Sequence, residues 1–229
     1  MTNRPVALVT GATRGIGRAI AIELSSTHRI LVGGRDAARA GELVAELDDA
    51  APFVCDLADE DAVAAACAGI GRLDVLVHSA GIGRSNDIGL ASRALWREVF
   101  ETNVFAVADL TRLLLPALEA ARGIVVAINS GAGFFSSPGG GVYAGSKFAL
   151  RALTDALREE MRGKVRVCSI HPGRTDTDMQ RELQAAMGNE HYDGSCYVSP
   201  GSVAAAVRLA VDTPDNATVE QLSIRPSVF

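Results

Sequence analysis

Lysine is nearly missing from this chain. Of its 22 basic residues only Lys147 and Lys164 are lysine, and the other 20 are arginine, so each lysine calls for an explanation. Cysteine is scarce too. Cys55, Cys67, Cys168 and Cys196 never fall in a C-x-x-C spacing, which leaves reduced structural thiols as their reading, with Cys55 and Cys168 closing apolar runs. The histidines (His28, His78, His171, His191) show no i, i+4 pair and no carboxylate at ligand spacing, so no metal site is expected. Basic runs are absent from a chain whose formal net charge is −5, which argues against nucleic acid as a partner. No apolar stretch reaches membrane-spanning length, because arginines such as Arg112 and Arg122 interrupt the longest candidate. From Met1 to Pro5 the chain leads into a strand-like segment with no room for a cleavable apolar region, so the cytoplasm is the expected location.

What is present is a regular alternation. The 229 residues are 48% hydrophobic and 21% charged, without a Pro-, Ser- or charge-rich window, and one domain spanning 1–229 is expected. Short β-branched runs occur at Val6 to Thr10, Arg29 to Gly33, Pro52 to Cys55, Leu73 to Val77, Gly123 to Ile128 and Val165 to Ile170. Between them lie segments of helical period, among them Ile16 to Ser25, Ala37 to Leu47 and Asp59 to Ala68. Runs that are apolar throughout suit strands buried on both faces. With a seventh strand at Thr218 to Ile224, the pattern predicts an α/β fold: a doubly wound, parallel, Rossmann-type sheet with helices on both faces. Two regions break the rhythm, a polar loop at Ser79 to Ala91 and a long segment after Pro172. Residues 174–199, with a short helical pattern from Met179 to Met187, are a candidate substrate lid.

The first strand runs into Thr10-Gly11-Ala12-Thr13-Arg14-Gly15-Ile16-Gly17 and then a helix. Glycines at these positions let the chain turn tightly and let backbone N–H groups at the helix start approach a pyrophosphate. The spacing is G-x-x-x-G-x-G, and its place after the first strand points to a dinucleotide. The second strand ends Gly33-Gly34-Arg35-Asp36. A ribose 2′-hydroxyl calls for a carboxylate there and a 2′-phosphate for a cation, so glycine followed by Arg35, with Arg14 across the loop, favours NADP(H) over NAD. Asp36 is the contrary sign, and it reads more simply as the N-cap of the next helix.

Tyr143 and Lys147 stand four apart, on one face of a helix. That spacing alone also fits a packed tyrosine beside a solvated lysine. Thirteen residues earlier the fifth strand ends in Asn129-Ser130-Gly131, and a doubly wound sheet brings that strand end to the same crevice. A hydroxyl there can hold a carbonyl against the phenol, while the ammonium lowers the phenol's pKa.

These motifs together resemble the short-chain dehydrogenase/reductase family over essentially the whole chain: Gly11, Gly15 and Gly17; Asp56; Ser79-Ala80-Gly81; Asn103; Ser130; Tyr143 and Lys147; Pro172-Gly173. The resemblance implies that Tyr143 is the acid in reduction and the base in oxidation. Lys147 would tune it and bind the nicotinamide ribose, Ser130 would orient the substrate oxygen, and Asn103 would hold a water of the proton relay. Thr13, Ile16 and the loop glycines would cradle the cofactor, Asp56 and Leu57 would flank the adenine, and Ser79, Ala80 and Gly81 would lie along it. Pro172, Gly173, Thr175 and Thr177 would border the nicotinamide. The family usually reads Asn-Asn-Ala-Gly where this chain has His78-Ser79-Ala80-Gly81, and His78 is expected to be structural. A homo-oligomer is implied, through the helix carrying Ala149, Ala152 and Ala156. The short tail, Arg225 to Phe229, puts tetramer contacts made by longer tails in doubt.

The expected substrate pocket comprises Ile82, Phe134, Phe135, Tyr143 and parts of Met179 to Tyr197, with Arg84, Arg174 and His191 as polar anchors. It suits a small-molecule carbonyl or alcohol with an apolar body. Two other readings stay open: a lyase or epimerase on the same scaffold, and a non-catalytic NADP(H)-binding sensor.

Overall fold

A computed structural model describes residues 4–186, 188, 189 and 191–227. Met1, Thr2, Asn3, Val228 and Phe229, and Met187 at the end of the expected lid helix, lie outside the described residues.

Seven strands form one parallel sheet: β1 (Val6–Val9), β2 (Arg29–Gly34), β3 (Ala50–Val54), β4 (Val75–His78), β5 (Ile124–Ile128), β6 (Arg166–Pro172) and β7 (Gln221–Ile224). Their order is β3-β2-β1-β4-β5-β6-β7, so the winding reverses between β1 and β4. At such a reversal the strands' carboxyl ends open a crevice. Every expected strand is found, with shifted ends. β4 starts two residues late because Asp74 turns its carboxylate to the Val6 N–H at 2.9 Å. β6 runs two residues further, carrying His171 and Pro172 to the crevice rim.

The helices are α1 (Gly15–Ser25), α2 (Ala37–Glu46), α3 (Glu60–Cys67), α4 (Arg93–Phe100), α5 (Ala106–Ala121), α6 (Gly141–Glu160), α7 (Asp178–Ala186) and α8 (Pro200–Asp212). Ile20 and Leu24 of α1, Leu43 of α2 and Val203 and Val207 of α8 bury one face of the sheet. Val63 of α3, Leu110, Leu114 and Leu118 of α5 and Leu157 of α6 bury the other. Each fully buried leucine or valine contributes about 1.5–3 kcal/mol, which accounts for strands apolar on both faces. Helix starts follow local chemistry: Asp36 caps α2 by accepting from the N–H groups of Ala38 and Arg39, and Asp59 caps α3 through Ala62. Each such cap stabilises by about 1 kcal/mol. Between α4 and α5 the ladder widens into a π-helical turn, Glu101–Phe105, which rotates Asn103 inward. Among the described residues no helix is long and apolar enough to cross a membrane.

Candidate active site

At the reversal point a cavity of about 280 Å³ is lined by Thr13, Arg14, Gly15, Ile16 and Gly17 with Gly11 behind them, and by Arg35, Asp56, Leu57, Ser79, Ala80 and Gly81. Thr177 and Met179 close it from above. Gly11 has φ +64°, and a Cβ there would stand 2.8 Å from the Ala80 Cα, so this turn demands glycine twice over. Thr10 pins the opposite wall. Its hydroxyl accepts from the N–H groups of Ser79 (3.0 Å) and Ala80 (3.1 Å) and donates to the Val77 carbonyl. The sequence pattern gave no site role to Thr10 at the head of the glycine loop, nor to Phe53, Cys55 and Thr102 in the cavity wall. Nothing in their local pattern marks them, because the sheet alone brings them there.

Arg14 and Arg35 line this cavity, and neither has a carboxylate partner among the described residues. Asp36, the contrary sign in the sequence, is spent on the α2 cap and on Arg39 at 3.6 Å. A side chain at Gly34 would place its Cβ 2.8 Å from Thr13 Cγ2, so an acid at that strand end would require the Thr13 side chain to shift. Asp56 lines the cavity and accepts from the Ala58 N–H at 3.0 Å through one carboxylate oxygen.

Ser130, Tyr143, Lys147, Pro172, Gly173 and Thr175 do not line the cavity. They sit beside it on the ends of β5 and β6 and on α6, and the two regions meet at Gly81. A Cβ on Gly81 would stand 3.3 Å from Asn103 Oδ1 and 3.9 Å from Lys147 Nζ. Ser130 stands close enough to Tyr143 to pull the phenol's pKa down, and its hydroxyl accepts from the Ala132 N–H at 3.1 Å. Lys147 is buried, donates to the Ile128 carbonyl at 3.0 Å, and holds its Nζ 5.7 Å from the centre of the Tyr143 ring.

The expected direction of the tyrosine shift is overturned. Burial pushes the Tyr143 phenol above its ordinary value, and Ser130, which pulls it down, is the weaker influence. Burial also lowers Lys147 to about 8. Desolvation therefore governs both groups, a balance that spacing in a sequence does not reveal.

Asn103 is committed to protein. Its amide donates to the Ile82 carbonyl (2.9 Å) and the Ser146 hydroxyl (3.0 Å), and its Oδ1 accepts from the Ile82 N–H (2.9 Å). The side chain thus staples the β4 loop to α6. His78 is buried, bonded through Nε2 to the Thr111 hydroxyl at 2.9 Å and lowered to about 4 by burial.

The described residues of 174–199 form an excursion pinned at its base. Asp176 N–H donates to the Val198 carbonyl, and Val198 N–H to that of Arg174, both at 2.9 Å. The Asp176 carboxylate gathers both limbs, accepting from Arg181 of α7 at 2.8 Å and from the Tyr192 hydroxyl at 2.9 Å. Tyr192 stacks on Tyr197 at 4.7 Å, with Arg174 over the far ring. Of the expected anchors, Arg84 is paired with Glu98 at 3.1 Å, and exposed His191 offers its backbone N–H to Asn189. Phe134 packs on His171, while Phe135 is 62% exposed.

A doubly wound sheet with a glycine loop at its reversal point, and a Ser–Tyr–Lys group one strand away, defines a dinucleotide-binding oxidoreductase architecture. Residues 5–188 match the family model described as short chain dehydrogenase. The chain is 33% identical to serine 3-dehydrogenase of Agrobacterium fabrum, over 96% of this chain and 92% of the relative. It superposes on an alcohol dehydrogenase from the archaeon Thermococcus sibiricus, complexed with 5-hydroxy-NADP. There the TM-score is 0.89 and the identity 27%, covering 99% of this chain and 98% of that one. A metagenomic short-chain oxidoreductase in complex with NADP matches with a TM-score of 0.83 and 31% identity, covering 98% of each chain. The chain belongs to the short-chain dehydrogenase/reductase family.

Proposed function

We propose that this chain is an NADP(H)-dependent oxidoreductase that interconverts a carbonyl and an alcohol on a small molecule, with Tyr143 as proton donor and acceptor. The observation that carries the reading is Ser130 beside Tyr143, where it pulls the phenol's pKa down, with the Lys147 Nζ 5.7 Å from the ring centre, at the end of the glycine-lined crevice. The cofactor, when bound, supplies the hydride. Arg14 and Arg35, without a carboxylate partner among the described residues, would hold a 2′-phosphate beside Gly34, Asp56 would accept from the adenine amine, and Lys147 would reach the nicotinamide ribose. Thr175 and Thr177, with Pro172 and Gly173, would border the carboxamide.

The residues then divide the proton work. The Ser130 hydroxyl fixes the substrate oxygen against the phenol, and Tyr143 passes its proton to that oxygen as it becomes an alkoxide. A phenol held protonated by burial is ready to donate, which is the direction of carbonyl reduction. Asn103 acts by holding the β4 loop against α6. Residues 174–199 act as a lid that excludes water, and Ile82, Phe134 and Met179 supply apolar walls. The chain works as one domain and, like the helix face of Ala149, Ala152 and Ala156 implies, pairs with a second copy.

Following nicotinamide absorbance with NADPH and a panel of ketones, aldehydes and hydroxy acids tests this. Oxidation of NADPH by at least one carbonyl supports the reading. Tight NADPH binding with no turnover across the panel would favour the sensor, and substrate conversion without net nicotinamide redox the lyase or epimerase.

A further inference from the structure

Behind Ser130 lies a histidine that this chemistry does not use. His171 of β6 has no exposed surface. Its Nδ1 is 3.0 Å from the Ser130 carbonyl oxygen and its Nε2 3.0 Å from the Gln221 side-chain nitrogen on β7. A carbonyl only accepts, so Nδ1 carries the proton and donates. Nε2 is then the acceptor that the Gln221 amide requires, and both ends agree on one neutral tautomer. The Ser130 carbonyl also accepts from the Gly133 N–H at 3.0 Å, so two donors from different elements fix that peptide plane. The imidazole lies against Phe134, ring centres 4.4 Å apart, and the His171 carbonyl is held by Arg225 at 2.6 Å.

We propose that His171 is a positioning residue for Ser130: by fixing the Ser130 carbonyl from β6, with Gln221 fixing the imidazole from β7, it sets the direction in which the Ser130 hydroxyl meets Tyr143. The proposal rests on the reading above only in taking Ser130 and Tyr143 as the reacting pair. The charged groups facing His171 are Arg151 and Asp155 from α6 and Arg225 after β7. Burial, with the two guanidiniums, keeps the ring neutral. Lys147 is the cation beside Tyr143.

The test reads Tyr143 itself and needs no turnover. With tyrosine labelled at its ζ-carbon, the chain gives three phenol signals, and Tyr143→Phe assigns one of them. In His171→Asn the amide nitrogen falls near the place of Nδ1 and restores the donor. In His171→Gln it reaches the place of Nε2 and leaves the Ser130 carbonyl without its imidazole partner. His171→Gln and His171→Leu are expected to raise the Tyr143 midpoint by about half a pH unit, as Ser130→Ala does, while His171→Asn stays near native. In turnover the same pair should lose about tenfold in kcat with KM unchanged, and Asn should restore it. An unmoved midpoint in His171→Gln, or equal displacement in Asn and Gln, would overturn the proposal. Should His171→Leu fail to fold, the Asn and Gln pair decides. A native protein without turnover would count against the proposed reaction, while the titration still judges His171.

Discussion

Lys147 donates its ammonium to the Ile128 carbonyl across 3.0 Å, tying α6 to the last residue of β5. The bond places a buried cation beside Tyr143 and the loop at Gly81. It also makes the lysine costly, since burial lowers it to about 8 from 10.5.

That cost predicts a trade-off. Below pH 8 the lysine is charged in both folded and unfolded chains, and folding bears the full penalty of about 3 kcal/mol. As pH rises from about 8 to 10.5 the folded form releases its proton first and the penalty fades. Lys147→Met leaves the buried Ile128 carbonyl without its donor, a cost of about 2 kcal/mol, so it should be more stable than native by about 1 kcal/mol at pH 7. The gain should shrink towards pH 10 while turnover is lost. Urea unfolding at pH 7 and pH 10 checks this, and a variant less stable than native at pH 7 would refute it.

His78 predicts acid sensitivity. Its folded pKa is lowered to about 4 from 6.5, so between these values the unfolded chain binds a proton that the folded chain refuses. Stability therefore falls as pH drops from about 6.5 to 4, by up to about 3 kcal/mol, and levels off below. In His78→Asn this part of the decline should vanish. Comparing unfolding free energies of native and variant at pH 7, 5.5 and 4.5 isolates it from the carboxylates, which both proteins share.

Arg14 and Arg35 are expected to act on one cofactor and not the other. Arg35→Ser should weaken NADPH binding by about tenfold or more, and the double variant with Arg14→Ser by about a hundredfold, with NADH affinity nearly unchanged. Nicotinamide fluorescence titrations with each cofactor measure both. Equal losses for NADH and NADPH would assign the guanidiniums to the pyrophosphate.

Asp176 joins the two limbs of residues 174–199 through Arg181 and Tyr192. Asp176→Ala should speed proteolytic cleavage within this segment by about tenfold, because two hydrogen bonds to a charged group are lost at a partly exposed site. The thermal midpoint should scarcely move, since α7 buries no residue in the core. A large drop in midpoint would mean that the segment is part of the core's cooperative unit.

Much of this was legible in the sequence. Strands buried on both faces are apolar throughout, so runs such as Gly123 to Ile128 declare themselves, and Asp36 announces its helix by a cap chemistry that is local. Spacing put Ser130, Tyr143 and Lys147 at one crevice. What stayed hidden depends on closure of the fold. Asn103 meets Ile82 and Ser146, and His171 meets Ser130 and Gln221, across 21 to 50 residues of chain. The sign of the Tyr143 shift was missed for the same reason, since it follows from how deeply the phenol is enclosed.

The most direct test of the central claim is NADPH oxidation by the native protein and by Tyr143→Phe with the best carbonyl of the panel. The variant is expected to bind NADPH within about twofold of native and to lose turnover by about a thousandfold or more, the contribution of a positioned proton donor. Turnover in Tyr143→Phe comparable to native would contradict it.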